Sequence, residues 1–349
     1  PMNFLFVARV ERGEWAVFEV PYFNCIMLNL TCMKDTAQKL VASPKGVLAI
    51  DSTKGIIKRF AAVGLTHTPE LDKKYKEILL GTRGIGEFIS GVILNDLNIH
   101  QNISINEKII KGIKVDGGLE PFGEGEEEVT KGLDGLSERL KEYLGMGAKF
   151  TKWRGVFRIS NIYPTDSFLE ENLGRMVNFA KVSQEVGLIP IVEPEILLDG
   201  NHTTTRCEEV ETKVLKLLFE KLVAEGVDLS SLILKTSMVL PGKDNGVKAA
   251  SLEIAKTTVR TLLNSVPREV AGVVFLSGGQ SPDEATNNLN EIERNLDGLV
   301  FPLSFSFGRA LQEEALKVWK GLDENVKAAQ SIFINRARLV SLARCGGLK

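Results

Sequence analysis

Eight short apolar runs recur along this chain, and a longer stretch of mixed polarity separates each run from the next. The runs are rich in β-branched residues and comprise residues 46–50, 89–94, 109–115, 150–159, 188–192, 231–234, 271–276 and 300–305. Because they are continuously apolar rather than alternating, they predict strands of a parallel sheet that is buried on both faces. This pattern limits the fold more than any other feature of the sequence.

The stretches between the runs have the spacing of helices. In residues 205–224 the apolar side chains fall on one face and the charged ones lie mostly elsewhere. Ser281 precedes a proline and stands three residues before Glu284, which predicts a capping box. Residues 120–128, rich in glycine and glutamate, are predicted to form a solvated loop. Eight strands alternating with helices in about 260 residues favour a single (β/α)8 TIM barrel, which we assign to residues 34–349.

The first 33 residues do not join this alternation. They have no clear period and open on Pro1, with Met2 as the first methionine. Three alternatives stay open for this segment: an appended strand, a disordered arm, or a true start at Met27 or Met33. We expect a structural role or none, and assign the segment no function.

Composition excludes several classes of function. The 349 residues carry a net charge of −2 and are 44% hydrophobic, which gives no electrostatic reason to expect nucleic acid or an anionic membrane as a partner. No apolar run reaches the about 20 residues of a membrane helix, and the amino-terminal stretch lacks the features of a secretion signal. A cytoplasmic location is therefore expected. The four cysteines have no repeated spacing, which indicates neither a disulfide framework nor a zinc knuckle.

The sequence predicts neither a cofactor nor a metal. The three histidines, His67, His100 and His202, are scattered, and none of them ends an apolar run. A zinc-dependent enzyme needs a histidine-rich site with an open coordination position. No G-x-G-x-x-G motif follows a run, so a dinucleotide is not supported. We interpret the histidines as surface or structural residues.

Polar residues lie within or directly after seven of the eight runs, where we look for the carboxyl ends of barrel strands. They are Asp51, Lys114 with Asp116, Lys152 with Arg154, Glu193 with Glu195, Lys235, Ser277-Gly278-Gly279, and Ser306 with Gly308-Arg309. Each has a plain structural explanation: a lysine after a strand is usually the first exposed residue, Glu193-Pro194-Glu195 could be a turn, and two glycines could serve a tight connection. Taken together they predict a functional site, because barrel chemistry gathers at the strands' carboxyl ends and buried charges are costly unless paired.

Lys235 is the predicted nucleophile of this site. An amine attacks a carbonyl only when it is neutral, and both burial in the barrel and the neighbouring cations Lys152 and Arg154 favour the neutral form. Glu193 and Glu195 lie two residues apart on an extended segment, so they point the same way and can shuttle protons. This set predicts chemistry through a Schiff base.

Two anion sites flank the lysine. Residues 277–279 precede the capped helix, and Gly308-Arg309 begin another helix, so both follow the last two strands, where barrels commonly hold phosphate. Lys58-Arg59 with Lys114 form a second basic set. Two anion sites on either side of an amine describe a bisphosphorylated sugar, whose hydroxyl Asp51 can orient or deprotonate.

These motifs resemble the class I fructose-bisphosphate aldolase family over about residues 34–345. They read Lys45-Gly46-Val47-Leu48-Ala49-Ile50-Asp51, Gly112-Ile113-Lys114-Val115-Asp116, Gly132-Leu133-Asp134-Gly135-Leu136-Ser137-Glu138-Arg139, Lys152-Trp153-Arg154, Ile191-Val192-Glu193-Pro194-Glu195-Ile196-Leu197, Leu234-Lys235, Phe275-Leu276-Ser277-Gly278-Gly279-Gln280-Ser281 and Ser306-Phe307-Gly308-Arg309-Ala310-Leu311. The resemblance implies a metal-independent aldehyde-lyase of glycolysis and gluconeogenesis. Such an enzyme reversibly cleaves fructose 1,6-bisphosphate to dihydroxyacetone phosphate and glyceraldehyde 3-phosphate, usually as a homotetramer.

The resemblance also implies a role for each matched residue. Lys235 would form the Schiff base, with Glu193 as the main general acid and base. Glu195 and Lys152 would assist dehydration, and Asp51 would act on the hydroxyl next to the cleaved bond. One phosphate would be held by Ser277, Gly278, Gly279, Gly308 and Arg309, with Ser306 nearby. The other phosphate, or the open-chain hydroxyls, would be held by Lys58, Arg59, Lys114 and Arg154.

The chain departs from the family pattern at three places. Asp51 is followed directly by Ser52 where the family reads Asp-Glu-Ser, which puts the contacts of this loop with the distal phosphate, including that of Ser52, in doubt. Lys235 is followed by Thr236-Ser237 where Pro-Asn is common, which is expected to retune the site. The sequence ends at Lys349 without the family's terminal tyrosine, so proton exchange at the ketose-derived carbon is expected to be slow or to use another residue.

Two alternatives to this function stay open. One is a Schiff-base aldolase for another sugar phosphate, against which the two anion sites argue. The other is a catalytically impaired barrel that acts as a binding or scaffold protein. The shortened loop and the missing tail favour it, whereas the central lysine and both glutamates argue against it.

Overall fold

A computed structural model describes the backbone of residues 3–9 and 15–349 and the side chains from residue 31 onward. The strands are β1 (Asn3–Arg9), β2 (Trp15–Pro21), β3 (Gly46–Ala49), β4 (Ile89–Leu94), β5 (Ile110–Lys114), β6 (Leu119–Pro121), β7 (Glu128–Thr130), β8 (Phe150–Phe157), β9 (Ile189–Ile196), β10 (Ile233–Thr236), β11 (Gly272–Phe275) and β12 (Leu303–Phe307). The helices are α1 (Tyr22–Leu40), α2 (Thr53–Ala62), α3 (Pro69–Leu80), α4 (Asp96–His100), α5 (Leu136–Gly145), α6 (Asp166–Val186), α7 (Thr204–Ala224), α8 (Ser251–Ser265), α9 (Pro282–Glu293), α10 (Arg309–Trp319) and α11 (Val326–Ala343).

Eight parallel strands close into a barrel in the order β3-β4-β5-β8-β9-β10-β11-β12, and β12 pairs back to β3. Every predicted apolar run supplies one of these strands, so the (β/α)8 fold is confirmed. The closed sheet has no free edge, and helices cover its outer face, which is why the strands read as continuously apolar. The carboxyl ends of all eight strands consequently meet at one mouth.

Strand β9 runs two residues beyond Pro194, so Glu193-Pro194-Glu195 lie inside a strand and the turn considered for them is excluded. β10 pairs with β9 at Ile191 and Val192, whereas β8 pairs with β9 as far as Ile196. Proline has no N–H to donate, but Pro194 lies past the residues of β9 that pair with β10. The ladder between β9 and β10 therefore loses no hydrogen bond at Pro194. The strand therefore presents both glutamates on the same face.

Two helix predictions are confirmed. α7 begins at Thr204, one residue before the predicted stretch. The capping box at the start of α9 is formed, because Ser281 Oγ accepts the N–H of Glu284 at 3.2 Å and Glu284 Oε2 accepts the N–H of Ser281 at 2.9 Å. No helix that the structure describes is long and apolar enough to cross a membrane.

The glutamate-rich stretch 120–128 connects β6 and β7 of a small antiparallel hairpin. Residues 123–126 at its tip are exposed, so the prediction of a solvated loop is confirmed there, but not for Glu127. Glu127 is 5% exposed, and its carboxylate accepts hydrogen bonds from the N–H of Thr165 at 2.8 Å and from its hydroxyl at 2.6 Å. Thr165 in turn caps α6. The composition suggested solvation because it does not reveal which glutamate points inward.

The backbone at the amino terminus forms an antiparallel hairpin of β1 with β2, followed by α1. The predicted boundary between residues 33 and 34 falls inside α1. Pro1 and Met2 lie outside the described residues, and the side chain of Met27 does as well. The function of segment 1–33 stays open.

The carboxyl end of α1 closes the amino-terminal end of the barrel. Its buried side chains form one apolar cluster with the first residues of several strands, among them Phe150 and Ile233. The plug consists of Met33, Ala37, Leu40 and Val41. Ser90 at the start of β4 adds a polar tie, because its hydroxyl donates to the carbonyl of Leu40 at 2.5 Å. The barrel is therefore sealed at the end opposite its mouth.

The ring of Phe150 lies directly over Gly112 on the neighbouring strand β5. A Cβ atom at Gly112 would come within 2.2 Å of that ring, well inside van der Waals contact, so only glycine fits here without a shift of the ring.

We expect Gly112→Ala to lower the free energy of unfolding by about 1–3 kcal/mol through overpacking. The control is Gly174→Ala on α6, where a Cβ would meet nothing within 4 Å, and which should raise that free energy by about 0.5–1 kcal/mol. Urea unfolding measures both. Equal midpoints for Gly112→Ala and the wild type would contradict the packing argument.

Candidate active site

Four charged side chains, three from the adjacent strands β8, β9 and β10 and one just after β3 across the barrel, form a continuous chain at its mouth. Lys235 Nζ lies 2.9 Å from Glu193 Oε1. Lys152 Nζ lies 3.0 Å from Glu193 Oε2 and 2.7 Å from Asp51 Oδ2. The four side chains are between 3% and 8% exposed. Two lysines and two carboxylates carry no net charge when all are ionised, which allows the group to be buried.

Burial opposes the charges of Asp51, Lys152 and Glu193, and the opposite charges around them outweigh it. Burial raises the pKa of Asp51, but Lys152 and Lys235 lower it to about 2. Burial also raises the pKa of Glu193, and the same two lysines lower it below its ordinary value. Burial lowers the pKa of Lys152, but Asp51 and Glu193 raise it above its ordinary value. Both carboxylates are thus ionised at neutral pH, and Lys152 is a fixed cation.

Two further ion pairs lie beside these four side chains. Arg154 Nε contacts Glu195 Oε2, and Lys114 Nζ contacts the carboxylate of Asp116. Asp116 also accepts the backbone N–H of Arg154 at 3.3 Å and that of Gly118 at 3.2 Å. Glu195 is therefore paired with Arg154 and does not contact the buried amine of Lys235 through an ion pair.

The turn 277–279 and the start of α10 are tied together by Gln280. The backbone N–H of Gln280 and its side-chain amide donate to the carbonyl of Ser277 at 2.9 and 3.3 Å. Its side-chain oxygen accepts from Asn288 Nδ2 at 2.7 Å, and its carbonyl accepts from Arg309 Nη2 at 2.5 Å. The two segments that the sequence predicts to bind phosphate therefore form one unit, in which the two glycines of the turn have φ values of +38° and +83°.

Two buried donors near this unit lack a partner among the described atoms. They are Ser306 Oγ, on a residue that is 1% exposed, and Arg59 Nε. Burial lowers the pKa of Arg59, and the charge of Arg309 lowers it further. Gly308, ahead of α10, provides no side-chain cap for that helix. The unpartnered Nε of Arg59, the Ser306 hydroxyl and the uncapped start of α10 are all groups that bound anions can satisfy.

The remaining predicted ligands lie on or before α2. Lys58 is exposed. Ser52 is the N-cap of α2, and its Oγ accepts the N–H of Gly55 at 3.1 Å. The shortened segment after Asp51 therefore enters the helix at once, and the Ser52 oxygen is engaged there.

Two residues that organise the site were not among the predicted ligands. Asp116 was visible as a polar residue after a strand, but the sequence does not reveal that it orients both Lys114 and the backbone of Arg154. Gln280 follows the two glycines directly, and nothing in the sequence around it distinguishes it from an exposed loop residue.

The three histidines lie apart from this chain of charges. His67 Nε2 is 3.9 Å from Asp72 Oδ1, His100 Nε2 is 3.1 Å from Glu142 Oε1 near the surface, and His202 is buried. Among the side chains from residue 31 onward, no group of three histidine, cysteine or acidic residues is arranged to hold a metal ion.

Comparison with known proteins identifies several relatives. A family model described as "Fructose-bisphosphate aldolase class-I" matches residues 32–349. The "Probable fructose-bisphosphate aldolase class 1" of Xanthomonas campestris pv. campestris is 42% identical over 334 residues, which are 92% of this chain and 100% of the relative. The "Fructose-bisphosphate aldolase" of Dictyostelium discoideum is 44% identical over 325 residues, which are 89% of this chain and 91% of the relative.

A solved structure is also similar. It is a ternary co-crystal structure of fructose-bisphosphate aldolase from Plasmodium falciparum in complex with TRAP and a small molecule inhibitor. The TM-score is 0.89 at 42% identity, and the match covers 95% of this chain and 97% of that chain.

We expect Asp51→Asn to be less stable than the wild type at pH 7. The pKa of Asp51 is lowered from 3.8 to about 2 on folding, so its charge stabilises the fold above about pH 4, and this contribution is lost as the pH falls towards 2. The difference in urea midpoint from the wild type should therefore shrink between about pH 4 and pH 2. Asp297→Asn, at an exposed position, is the control. A difference that does not vary with pH would argue against this ion pair.

Proposed function

The chain belongs to the class-I fructose-bisphosphate aldolase family and is a lyase, and we propose that its reversible cleavage of fructose 1,6-bisphosphate to dihydroxyacetone phosphate and glyceraldehyde 3-phosphate runs through a Schiff base on Lys235. The observation that carries this proposal is the 2.9 Å contact between Lys235 Nζ and Glu193 Oε1 inside the barrel. It gives a buried amine its own proton acceptor.

Formation of the Schiff base begins when the ammonium proton of Lys235 passes to Glu193. The neutral amine adds to the ketone carbon, and Glu193 returns a proton to the resulting hydroxyl, which leaves as water. Lys152 holds its own proton, because Asp51 and Glu193 raise its pKa, and it assists by stabilising the Glu193 carboxylate. Glu195 assists from its pair with Arg154.

Asp51 takes the proton of the hydroxyl next to the bond that breaks. The electron pair of the carbon–carbon bond moves into the cationic C=N group, glyceraldehyde 3-phosphate leaves, and a neutral enamine stays on Lys235. The positive charge at Lys235 is one cause of the low pKa of Asp51. Since that charge disappears in the enamine, Asp51 becomes a stronger base as the bond breaks. Protonation of the enamine and hydrolysis then release dihydroxyacetone phosphate.

The two phosphates fix the substrate on either side of the amine. One would lie against the turn 277–279 with Arg309 and the uncapped start of α10, where it satisfies the unpartnered Ser306 hydroxyl. The other would pair with Arg59, which has an unpartnered Nε. Lys58, Lys114 and Arg154 would serve this second phosphate or the open-chain hydroxyls.

We further propose that the protein is a cytoplasmic homotetramer that acts in glycolysis and gluconeogenesis. The support for this proposal is family membership. Sedimentation equilibrium measures the assembled mass, and a mass other than that of four chains contradicts the tetramer.

Borohydride reduction in the presence of dihydroxyacetone phosphate should fix the substrate on Lys235, because reduction turns the C=N bond into a stable amine. Mass spectrometry of peptides is expected to find the adduct on Lys235 alone, and Lys235→Ala should show neither adduct nor turnover. Lys243→Ala, in the exposed loop after β10, is the control and should keep both. EDTA should leave turnover intact. An adduct on another lysine would contradict the assignment.

Arg59→Met should selectively weaken the binding of the bisphosphate substrate. A hydrogen bond from a charged group is worth about 1.5–3 kcal/mol, so KM for fructose 1,6-bisphosphate should rise by about tenfold or more. KM for fructose 1-phosphate, which lacks the second phosphate, should change by less than about twofold. Arg206→Met, a surface arginine on α7, is the control. An equal rise for both substrates would contradict this role of Arg59.

A further inference from the structure

The residue after Lys235 is held from outside the barrel by a buried carboxyl group. Side chains alternate along a strand, so Lys235 points into the barrel and Thr236 points towards the surrounding helices. The Thr236 hydroxyl donates a hydrogen bond of 2.9 Å to Glu211 Oε1 on α7. Glu211 is 1% exposed and Thr236 is fully buried. Glu211 thus contacts β10 one residue away from the proposed nucleophile.

Glu211 lacks the partners that a buried carboxylate needs. Its Oε2 has no hydrogen-bond partner among the described atoms, and its neighbours along α7 include the buried Val210, Val214 and Leu215. Burial raises the pKa of Glu211 to about 8, although the hydrogen bond from Thr236 lowers it. The carboxyl group is therefore mainly neutral at pH 7, and its carbonyl oxygen accepts the hydrogen bond from the Thr236 hydroxyl.

The charged groups around α7 do not compensate an ionised Glu211. Its titratable neighbour is the thiol of Cys207, one turn earlier on α7, whose pKa burial raises. The ion pairs formed by the adjoining elements do not include Glu211. They join Lys235 of β10 with Glu193 of β9, Arg260 of α8 with Glu208 of α7, and Asp166 and Glu170 of α6 with Lys213 and Lys221 of α7. An ionised Glu211 would have the Thr236 hydroxyl as its hydrogen-bond donor and an unpartnered second oxygen.

We propose that Glu211 is a positioning residue for the reaction: its neutral carboxyl group holds Thr236, and through it the end of β10, where Lys235 meets Glu193. The proposal rests on the proposed role of Lys235. Ser237 completes the arrangement on the other side, because its Oγ accepts the N–H of Ile196 at 3.1 Å and donates to the carbonyl of the same residue at 3.2 Å. The strand that carries the nucleophile is thus fixed both to α7 and to the strand that carries Glu193.

Loss of the Glu211 proton brings a charge into an apolar layer between α7 and β10. Such a charge is costly unless it is paired, and the single hydrogen bond from Thr236 does not offset the cost of burial. The carboxylate is therefore driven towards water, the contact between the two elements loosens, and the distance between Lys235 and Glu193 is no longer held. Activity is therefore expected to fall in alkaline solution as Glu211 loses its proton, although Glu211 does not touch the substrate.

The test compares kcat at pH 7 and pH 9 within each variant. Given the pKa of about 8 for Glu211, about nine-tenths of this group is protonated at pH 7 and slightly less than one-tenth at pH 9, so wild-type kcat should fall by about tenfold through this group. Glu211→Gln keeps an acceptor for Thr236 and cannot ionise, so this fall should be absent. Glu209→Gln, an exposed residue of the same helix, is the matched control and should fall as the wild type does.

Thr236 provides a second pair of variants. Thr236→Val removes the hydroxyl through which Glu211 holds β10, so kcat at pH 7 should fall more than KM changes, and the further alkaline fall should be absent. Thr236→Ser keeps the hydroxyl and should restore the wild-type profile. A merely structural role of Thr236 would not move the pH profile.

Stability gives a readout that does not depend on catalysis. Because the pKa of Glu211 is raised from 4.5 to about 8 on folding, the native state binds the extra proton between these values and the wild type loses stability as the pH rises through that window. The urea midpoint of Glu211→Gln, relative to the wild type, should therefore rise from about pH 4.5 to about pH 8 and stay level above it.

An alkaline fall in Glu211→Gln equal to that of the wild type overturns the proposal, even where borohydride still labels Lys235. Failure to label Lys235 overturns the Schiff-base mechanism instead. If Glu211→Gln does not fold, the Thr236 pair decides, because an unchanged pH profile in Thr236→Val contradicts the positioning role.

Discussion

Lys152 lies between two buried carboxylates, and the rest of the site depends on this cation. Without it, Asp51 and Glu193 would face burial and mutual repulsion, and at least one of them would take up a proton. With it, both stay ionised, as the proposed mechanism requires of the acceptor for the Lys235 proton and of the acceptor for the proton of a substrate hydroxyl. Lys152 therefore acts chiefly through its fixed charge.

The barrel fold supplies this interaction through its closure. Asp51, Lys152, Glu193 and Lys235 are far apart in sequence, and they meet because they lie on or just after strands of one closed barrel. The sequence predicted this convergence, because a parallel strand buried on both faces leaves a clear apolar run. A charged residue within or just after such a run is conspicuous. The capping box at Ser281 was equally clear, since its signal is local.

What the sequence did not reveal are contacts between elements. Gln280 and Glu211 are ordinary polar residues in a loop and on a helix, and nothing near them in the chain shows that one ties Arg309 to the turn 277–279 and the other meets Thr236. Glu127 was misjudged for the same reason, because its acidic neighbours suggested solvent while its partner Thr165 lies 38 residues away. Composition describes a segment, whereas the environment of a buried polar group is set by whichever element packs against it.

The apolar plug at the end of α1 closes the barrel at the end opposite Lys235. In the part of the chain that the structure describes, Met33 and Leu40 fill that end together with Phe150, so the charged residues of the site face the solvent only at the mouth. A product that is bound covalently to Lys235 would stay at this mouth until the bond is hydrolysed, whereas an unbound product is free to leave. In the proposed mechanism the aldehyde therefore departs before the ketose phosphate.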